Sequence, residues 1–271
     1  LNQGLAEKEI QLFFTDHQLE QEIIELGWAG EIKRMAGDYL MAVTTNLGGG
    51  KTDMIVSENI DLQVNISSDG EIINTATVTR THHGLENDLF EGDNNVDYIR
   101  LYVPRGSQLI SAQGFEIPPA ELFERPQTYY QEDKDLAFAS ASSYTDPASG
   151  TVVTEEFGKT SFGNWIQTKP GETEVAVFTY RLPWKLEAFS NEYDLLDQIK
   201  NRFGFHPIGE YSLNLQKQSG VTDRQIQVTI NLPDNIELIW SSSANIDDQT
   251  VHLTADETKD VFLGILFETD I

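Results

Sequence analysis

The chain has 271 residues, 39% of them hydrophobic and 10% aromatic, which is enough to bury one large core or two modest ones. Its 44 acidic residues face only 18 basic ones, for a formal charge of −26, and a surface of that sign repels nucleic-acid backbones and anionic membranes. The absence of cysteine removes disulfides, thiolate catalysis and Cys-ligated metal sites, and no apolar run reaches the roughly 18–20 residues that span a bilayer.

In chain order, Lys8 to Phe14 alternates Ile10, Leu12 and Phe14 and predicts a short strand. Residues 16–26 predict a helix. Thr15 and Gln18 have the spacing of a capping box, Leu19, Ile23, Ile24 and Leu26 form one apolar stripe, and Gly27 stands where the helix should stop. From Asp38 onward strand signals dominate. Asn59 to Ile66 alternates Ile60, Leu62, Val64 and Ile66, Ser68-Asp69-Gly70 supplies a turn, and Glu71 to His82 runs back as the clearest hairpin.

YIRLYVP and SQLISAQG predict two more strands, separated by Pro104 and Gly106. A polar stretch near 120–150 then reads as a long loop. KTSFGNWIQTK and TEVAVFTYRLP resume the strand pattern around the turn Lys169-Pro170-Gly171-Glu172, and Leu195, Leu196, Ile199 and Phe203 suggest a helix over 191–203. Five strands complete the chain, from YSLNLQKQ to DVFLGILF. The expected fold is mainly β, with one or two antiparallel β-sandwich units of immunoglobulin-like build behind a small α/β segment. The expected division is 1–37, a strand–helix segment; 38–185, a first sandwich unit; and 186–271, a helical insertion with a second unit. A weak repeat, YIRLYVPRGSQLISA against IQVTINLPDNIELIWSS, supports two such units.

Four stretches invite chemistry. Gly48-Gly49-Gly50-Lys51-Thr52 resembles a phosphate-binding loop, but Thr45 occupies the place of the first glycine and the following residues have strand spacing. Without a helix N-terminus no dipole receives a phosphate, so the glycines read as a connection that visits positive φ. The loop after His82-His83 gathers Glu86, Asp88, Glu91, Asp93 and Asp97, oxygen donors of the kind calcium takes, though not in EF-hand spacing. Calcium is the one metal this suggests, and no organic cofactor is expected. The two histidines should point to opposite faces of a strand. Trp165 and Trp184 are candidates for a carbohydrate-binding surface. No G-x-S-x-G elbow appears, and no two of the many carboxylates stand out as a glycosidase pair.

Taken together, KEIQLFF…LGWAG, DYLMAVTTNLGGGKTDMIV, IDLQVNISSDGEIINTATVTRTH, YIRLYVPRGSQLISAQG and FGKTSFGNWIQTKPGETEVAVFTYRLP resemble the C-terminal part of a bacterial family of unknown function, numbered 4012. YSLNLQKQSG…QIQVTINLP continues the match, while 187–208 and 127–149 fit it least. The resemblance implies an envelope-associated protein held by an upstream transmembrane helix and exposed outside the cytoplasmic membrane. It carries over no catalytic residue, and the glycine-lysine stretch from Asn46 to Asp53 matches without an assigned role. The chain begins with Leu, which fits a processed or truncated piece. The expected function is a non-enzymatic extracytoplasmic β-sandwich module, a spacer, scaffold or binding surface whose partner is an envelope protein or glycan. The alternative is an envelope carbohydrate-binding module or glycan-acting enzyme.

Overall fold

The computed structural model describes residues 1–48, 50–89, 91–186, 208–222, 224–242 and 245–269. Two short helices come first, α1 (Asn2–Ala6) and α2 (His17–Glu25). Nine strands follow: β1 (Asp38–Val43), β2 (Val56–Ile66), β3 (Glu71–His82), β4 (Asn95–Pro104), β5 (Gln108–Gln113), β6 (Tyr144–Thr145), β7 (Val152–Glu156), β8 (Lys159–Thr168) and β9 (Thr173–Lys185). A third helix, α3 (Lys134–Ser140), lies between β5 and β6. From residue 208 onward come β10 (Ile208–Leu215), β11 (Gln225–Asn231), β12 (Ile236–Ser241), β13 (Asn245–Asp247), β14 (Thr250–Asp256) and β15 (Val261–Thr269).

The protein is mainly β, and its strands form two mixed sheets that are mostly antiparallel. One has eight strands in the order β12-β15-β10-β1-β4-β8-β7-β6, the other seven in the order β13-β14-β11-β2-β3-β9-β5. The parallel pairs are β1 with β10 and β2 with β11. These two pairs join strands from before residue 185 to strands from after 207 in both sheets. Side chains from both sheets enter a single buried apolar cluster that runs from Leu40 to Phe267.

Alternation explains how the sheets meet. Along β3, Ile72, Asn74, Ala76, Val78, Arg80 and His82 are all buried, and the residues between them are half-exposed. Along β2 the buried set is Glu58, Ile60, Leu62, Val64 and Ile66. Each strand therefore buries every second residue in the shared apolar cluster. Each fully enclosed Val, Ile or Leu contributes about 1.5–3 kcal/mol. Phe162 of β8 reaches across to β9, with its ring 6.5 Å from Phe178 and 5.6 Å from Tyr180, centroid to centroid. The β2–β3 hairpin forms as its sequence predicts, in unbroken register from Val56↔His82 to Ile66↔Ile72 around Gly70 at φ 80°.

Several expectations are corrected. Residues 8–14 form no strand; Glu9 and Ile10 donate their N–H groups to the Gly4 carbonyl and Leu12 donates to Trp28, so no sheet edge pairs them. The cap of α2 is Asp16 rather than Thr15: its carboxylate accepts from the N–H groups of Gln18 and Leu19 at 3.0 Å each. Gly27 ends that helix at φ 74°, as its position suggests. The polar stretch near 120–150 contains α3 and β6. The two stretches read as a repeat both cross between sheets, but in opposite senses: β4 to β5 passes from the eight- to the seven-stranded sheet, and β11 to β12 passes back. The helix expected over 191–203 lies outside the described residues. Among the described residues no helix is long and apolar enough to cross a membrane.

Candidate functional site

The shared apolar cluster ends in buried polar groups at both strand termini, and the two ends differ. At one end β2 and β11 begin and β3 finishes. Here Arg80 reaches Glu58 and lies 2.8 Å from Asp97 of β4, and its guanidinium also donates to the Asn95 side-chain oxygen at 3.0 Å. Arg224 reaches the same Glu58, meets Glu257 at 2.9 Å and donates to the Ala42 carbonyl at 2.9 Å. All five charged groups are enclosed.

Burial pushes Asp97 up to about 6, against the pull of Arg80, and pushes Glu257 up as well. Burial opposes the charge on Arg224, yet Glu58 and Glu257 outweigh it and raise that group. Two guanidinium groups are thus committed to three buried carboxylates, with the exposed Asp53 at 3.9 Å from Arg80. Their chemistry is cohesion between the sheets, because each charge is already met by another.

At the other end β1, β8 and β10 begin and β4 and β9 finish. Asp38 sits inside, accepting from the Tyr39 N–H, the Asn74 amide and the Tyr211 hydroxyl, each at 2.7 Å. Burial raises Asp38 to about 6, and the three donors restrain the rise. Above it opens a cleft of about 670 Å³, lined by Arg105, Lys159, Trp184, Lys185, Glu210 and Tyr211 among others. The Trp184 indole packs partly on the core and partly along this cleft.

Lys159 is the unusual group. It is only 4% exposed, and its Nζ lies 3.6 Å from the centroid of the Tyr39 ring. Burial lowers its pKa, while Asp38 works in the opposite direction. Among the described residues it makes no ion pair, whereas Lys185 is paired with Asp69 and Arg105 lies 3.3 Å from Glu155. Local geometry fixes its place. Phe157 and Gly158 turn β7 into β8 with φ 53° and 74°, the two positive values of a two-residue hairpin turn, so Lys159 opens β8 at the cleft rim. Gly37, at φ 86°, brings β1 against β10; a Cβ there would lie 2.9 Å from the Ser212 carbonyl oxygen.

A larger hollow of about 930 Å³ lies between α2 and residues 30–35. Its charged side chains are Glu25, Glu31, Lys33 and Arg34, and Lys33 is held by Asp260 at 2.7 Å. The smaller cleft carries the stronger chemical signal because a largely buried lysine lines it that, among the described residues, makes no ion pair.

The structure does not gather the predicted acidic site. Glu86, Asp88, Glu91 and Asp93 are exposed, and Asp88 accepts from the Glu91 N–H at 3.0 Å. Asp97 lies instead on the inward face of β4, accepting from the Thr45 N–H at 2.6 Å and paired with Arg80. Among the described residues no group of three or more His, Asp or Glu side chains is placed to hold a metal ion.

His82 is buried, its Nδ1 accepting from the Gly84 N–H, and His83 is exposed beside Ser57. They face opposite ways, as adjacent strand residues must.

Trp165 and Trp184 do not form one surface. Trp165 belongs to β8 of the eight-stranded sheet, near the ionic end, and packs against the rings of Tyr98 and Phe123 at 4.9 and 5.1 Å. Trp184 belongs to β9 of the other sheet, at the cleft end.

Thr52, in the glycine-lysine stretch, is buried and accepts from the Asn95 amide at 3.0 Å. It opens a 3-10 turn, Thr52–Ile55, rather than a phosphate-receiving helix, and Gly50 takes φ 60°. Sequence reasoning missed Lys159 and Asp38, whose partners lie far away along the chain. The signal for Arg80 was present: it occupies an inward position of a strict alternation.

No family model matches the chain, and no curated protein sequence matches it. Among solved structures, the chain is similar to a candidate nutrient-binding protein from Legionella pneumophila, at 8% identity and a TM-score of 0.36, over 84% of this chain and 71% of that one. It is also similar to an M1 zinc metallopeptidase from Deinococcus radiodurans, at 10% identity and a TM-score of 0.26, over 81% of this chain and 43% of that one. At such TM-scores the similarity transfers neither fold nor function.

Proposed function

We propose that the chain is a non-catalytic β-sandwich module, immunoglobulin-like in its layering, that works outside the bacterial cytoplasmic membrane as a scaffold with a binding face. An upstream membrane helix would hold it there, as the resemblance to the family numbered 4012 implies. The observation that carries this reading is the cleft at one end of the two sheets, with Lys159 and Trp184 on its walls. The ion pairs at the opposite end suit a rigid support. They lock β2, β3 and β4 to the residue that precedes β11 and leave their charges spent on one another. The strongly acidic remainder keeps the module soluble and disfavours anionic surfaces.

The reading is tested by sedimenting the purified chain with isolated bacterial envelope material. Retention in the pellet, abolished by envelope protein or glycan added in solution, is expected. A chain that stays in the supernatant with every envelope fraction would remove the binding role. A carbohydrate-binding variant of the reading is favoured by Trp184, since an indole beside a polar cleft is a common support for a sugar ring.

A further inference from the structure

We propose that the cleft between the ends of β1, β8, β9 and β10 is a binding site for an acidic saccharide, whose anionic group pairs with the Lys159 ammonium while its ring lies against Trp184. The inference rests on the reading of this cleft as the binding face and names its ligand class. A lysine taken almost wholly out of water normally secures a carboxylate, because an unpaired buried charge is expensive. The Tyr39 ring lies against the Lys159 ammonium, a contact that offsets part of that cost, and the Asp38 charge nearby offsets a further part. Its pKa is lowered by burial, which is the behaviour of an ammonium that lacks a sufficient counter-ion.

Among the cations facing the cleft, Lys159 is the one that makes no ion pair among the described residues. On a chain with only 18 cations, Arg105, Lys159 and Lys185 line it, and Arg34 joins Arg105 and Lys159 around the adjoining hollow. Glu155 takes up Arg105 and Asp69 takes up Lys185, with Glu210 on the wall and Asp38 beneath. Asp38 is 1% exposed and already accepts from three donors, so it is a poor partner for a ligand cation. The volume, about 670 Å³, lies within the roughly 300–1,000 Å³ of small-ligand sites. An acidic group entering here would make a charge-assisted bond in a partly dry setting, where such bonds are strongest.

The test is calorimetric titration of the chain with three probes: trigalacturonate, a neutral galactose trisaccharide and a galactose phosphate. Binding of either acidic sugar but not the neutral one is expected, and the tighter of the two identifies the acidic group as carboxylate or phosphate. Lys159→Met keeps the buried stem and removes the charge; it should weaken acidic-sugar binding at least tenfold, and Trp184→Ala should weaken it as well. Should Lys159→Met fold poorly, the ammonium resonance of Lys159 in the unaltered chain provides a second reading, expected to shift on titration. Neutral sugar bound as tightly as acidic, no acidic sugar bound at millimolar concentration, or a Lys159 signal that stays put would each overturn the proposal. Retention on envelope material without acidic-sugar binding would remove this inference and leave the module reading standing.

Discussion

Arg80 on β3 and Asp97 on β4 meet at 2.8 Å from opposite sheets, both nearly sealed from water. Glu58 extends this contact to Arg224 and Glu257, so one chain of alternating charge fastens three strands to the residue before β11 and to the turn after β14. Removing one member strands its partner. Arg80→Met should cost about 3–5 kcal/mol, the usual result of leaving a buried charge unpaired. Chemical denaturation of this variant should show a large drop in midpoint, and the double change Arg80→Met with Asp97→Leu should recover part of it. A loss below about 1 kcal/mol would mean that the network contributes little.

Asp38 gives the fold a dependence on pH. Its folded pKa, about 6, stands above the ordinary 3.8, so the folded state prefers the protonated acid. Its contribution is fully present below 3.8 and is lost as pH rises through 6. The full span is worth about 3 kcal/mol, of which roughly 1–2 kcal/mol falls between pH 5 and pH 8. Asp38→Asn keeps the shape and cannot ionise. The stability of the unaltered chain should therefore fall relative to this variant as pH rises from 5 to 8. Parallel curves for the two proteins would show that Asp38 does not titrate in that range.

Two turns at the cleft should respond in opposite directions. Gly37→Ala places a Cβ against the Ser212 carbonyl at φ 86°, and should cost about 2 kcal/mol or more. Phe157→Asn puts a residue suited to φ 53° before Gly158 in the β7–β8 turn, and should stabilise by about 0.5–1 kcal/mol. Thermal melts of the two variants check both signs.

Calcium should leave the melting midpoint unchanged, because among the described residues no three acidic side chains are placed to hold an ion and Asp97 is turned inward to Arg80. A rise between chelator and millimolar calcium would reveal ligation that this arrangement does not offer.

Much of the fold was legible locally. The alternation of Ile60, Leu62, Val64 and Ile66 and the Ser-Asp-Gly turn give the β2–β3 hairpin with its register. The same alternation carries Arg80 and Glu58 inward, a sign visible in the sequence once inward and outward positions are separated. What was not legible depends on distant partners. KTSFGNWIQTK and TEVAVFTYRLP read as neighbours around a tight turn, yet β8 and β9 enter different sheets. The parallel pairings of β1 with β10 and β2 with β11 join residues about 170 positions apart, and no local signal specifies them. The cleft has the same origin: Lys159, Tyr39 and Trp184 come from three separate strands, so no motif contains it.

The most direct test of the central claim, that the cleft end is the binding face, is a backbone amide NMR titration with solubilised envelope glycan. Shifts concentrated at Arg105, Gly158, Lys159, Lys185 and residues 208–212 are predicted, with the acidic loop at 86–93 unmoved. Shifts centred on that loop or around Trp165, with the cleft silent, would contradict it.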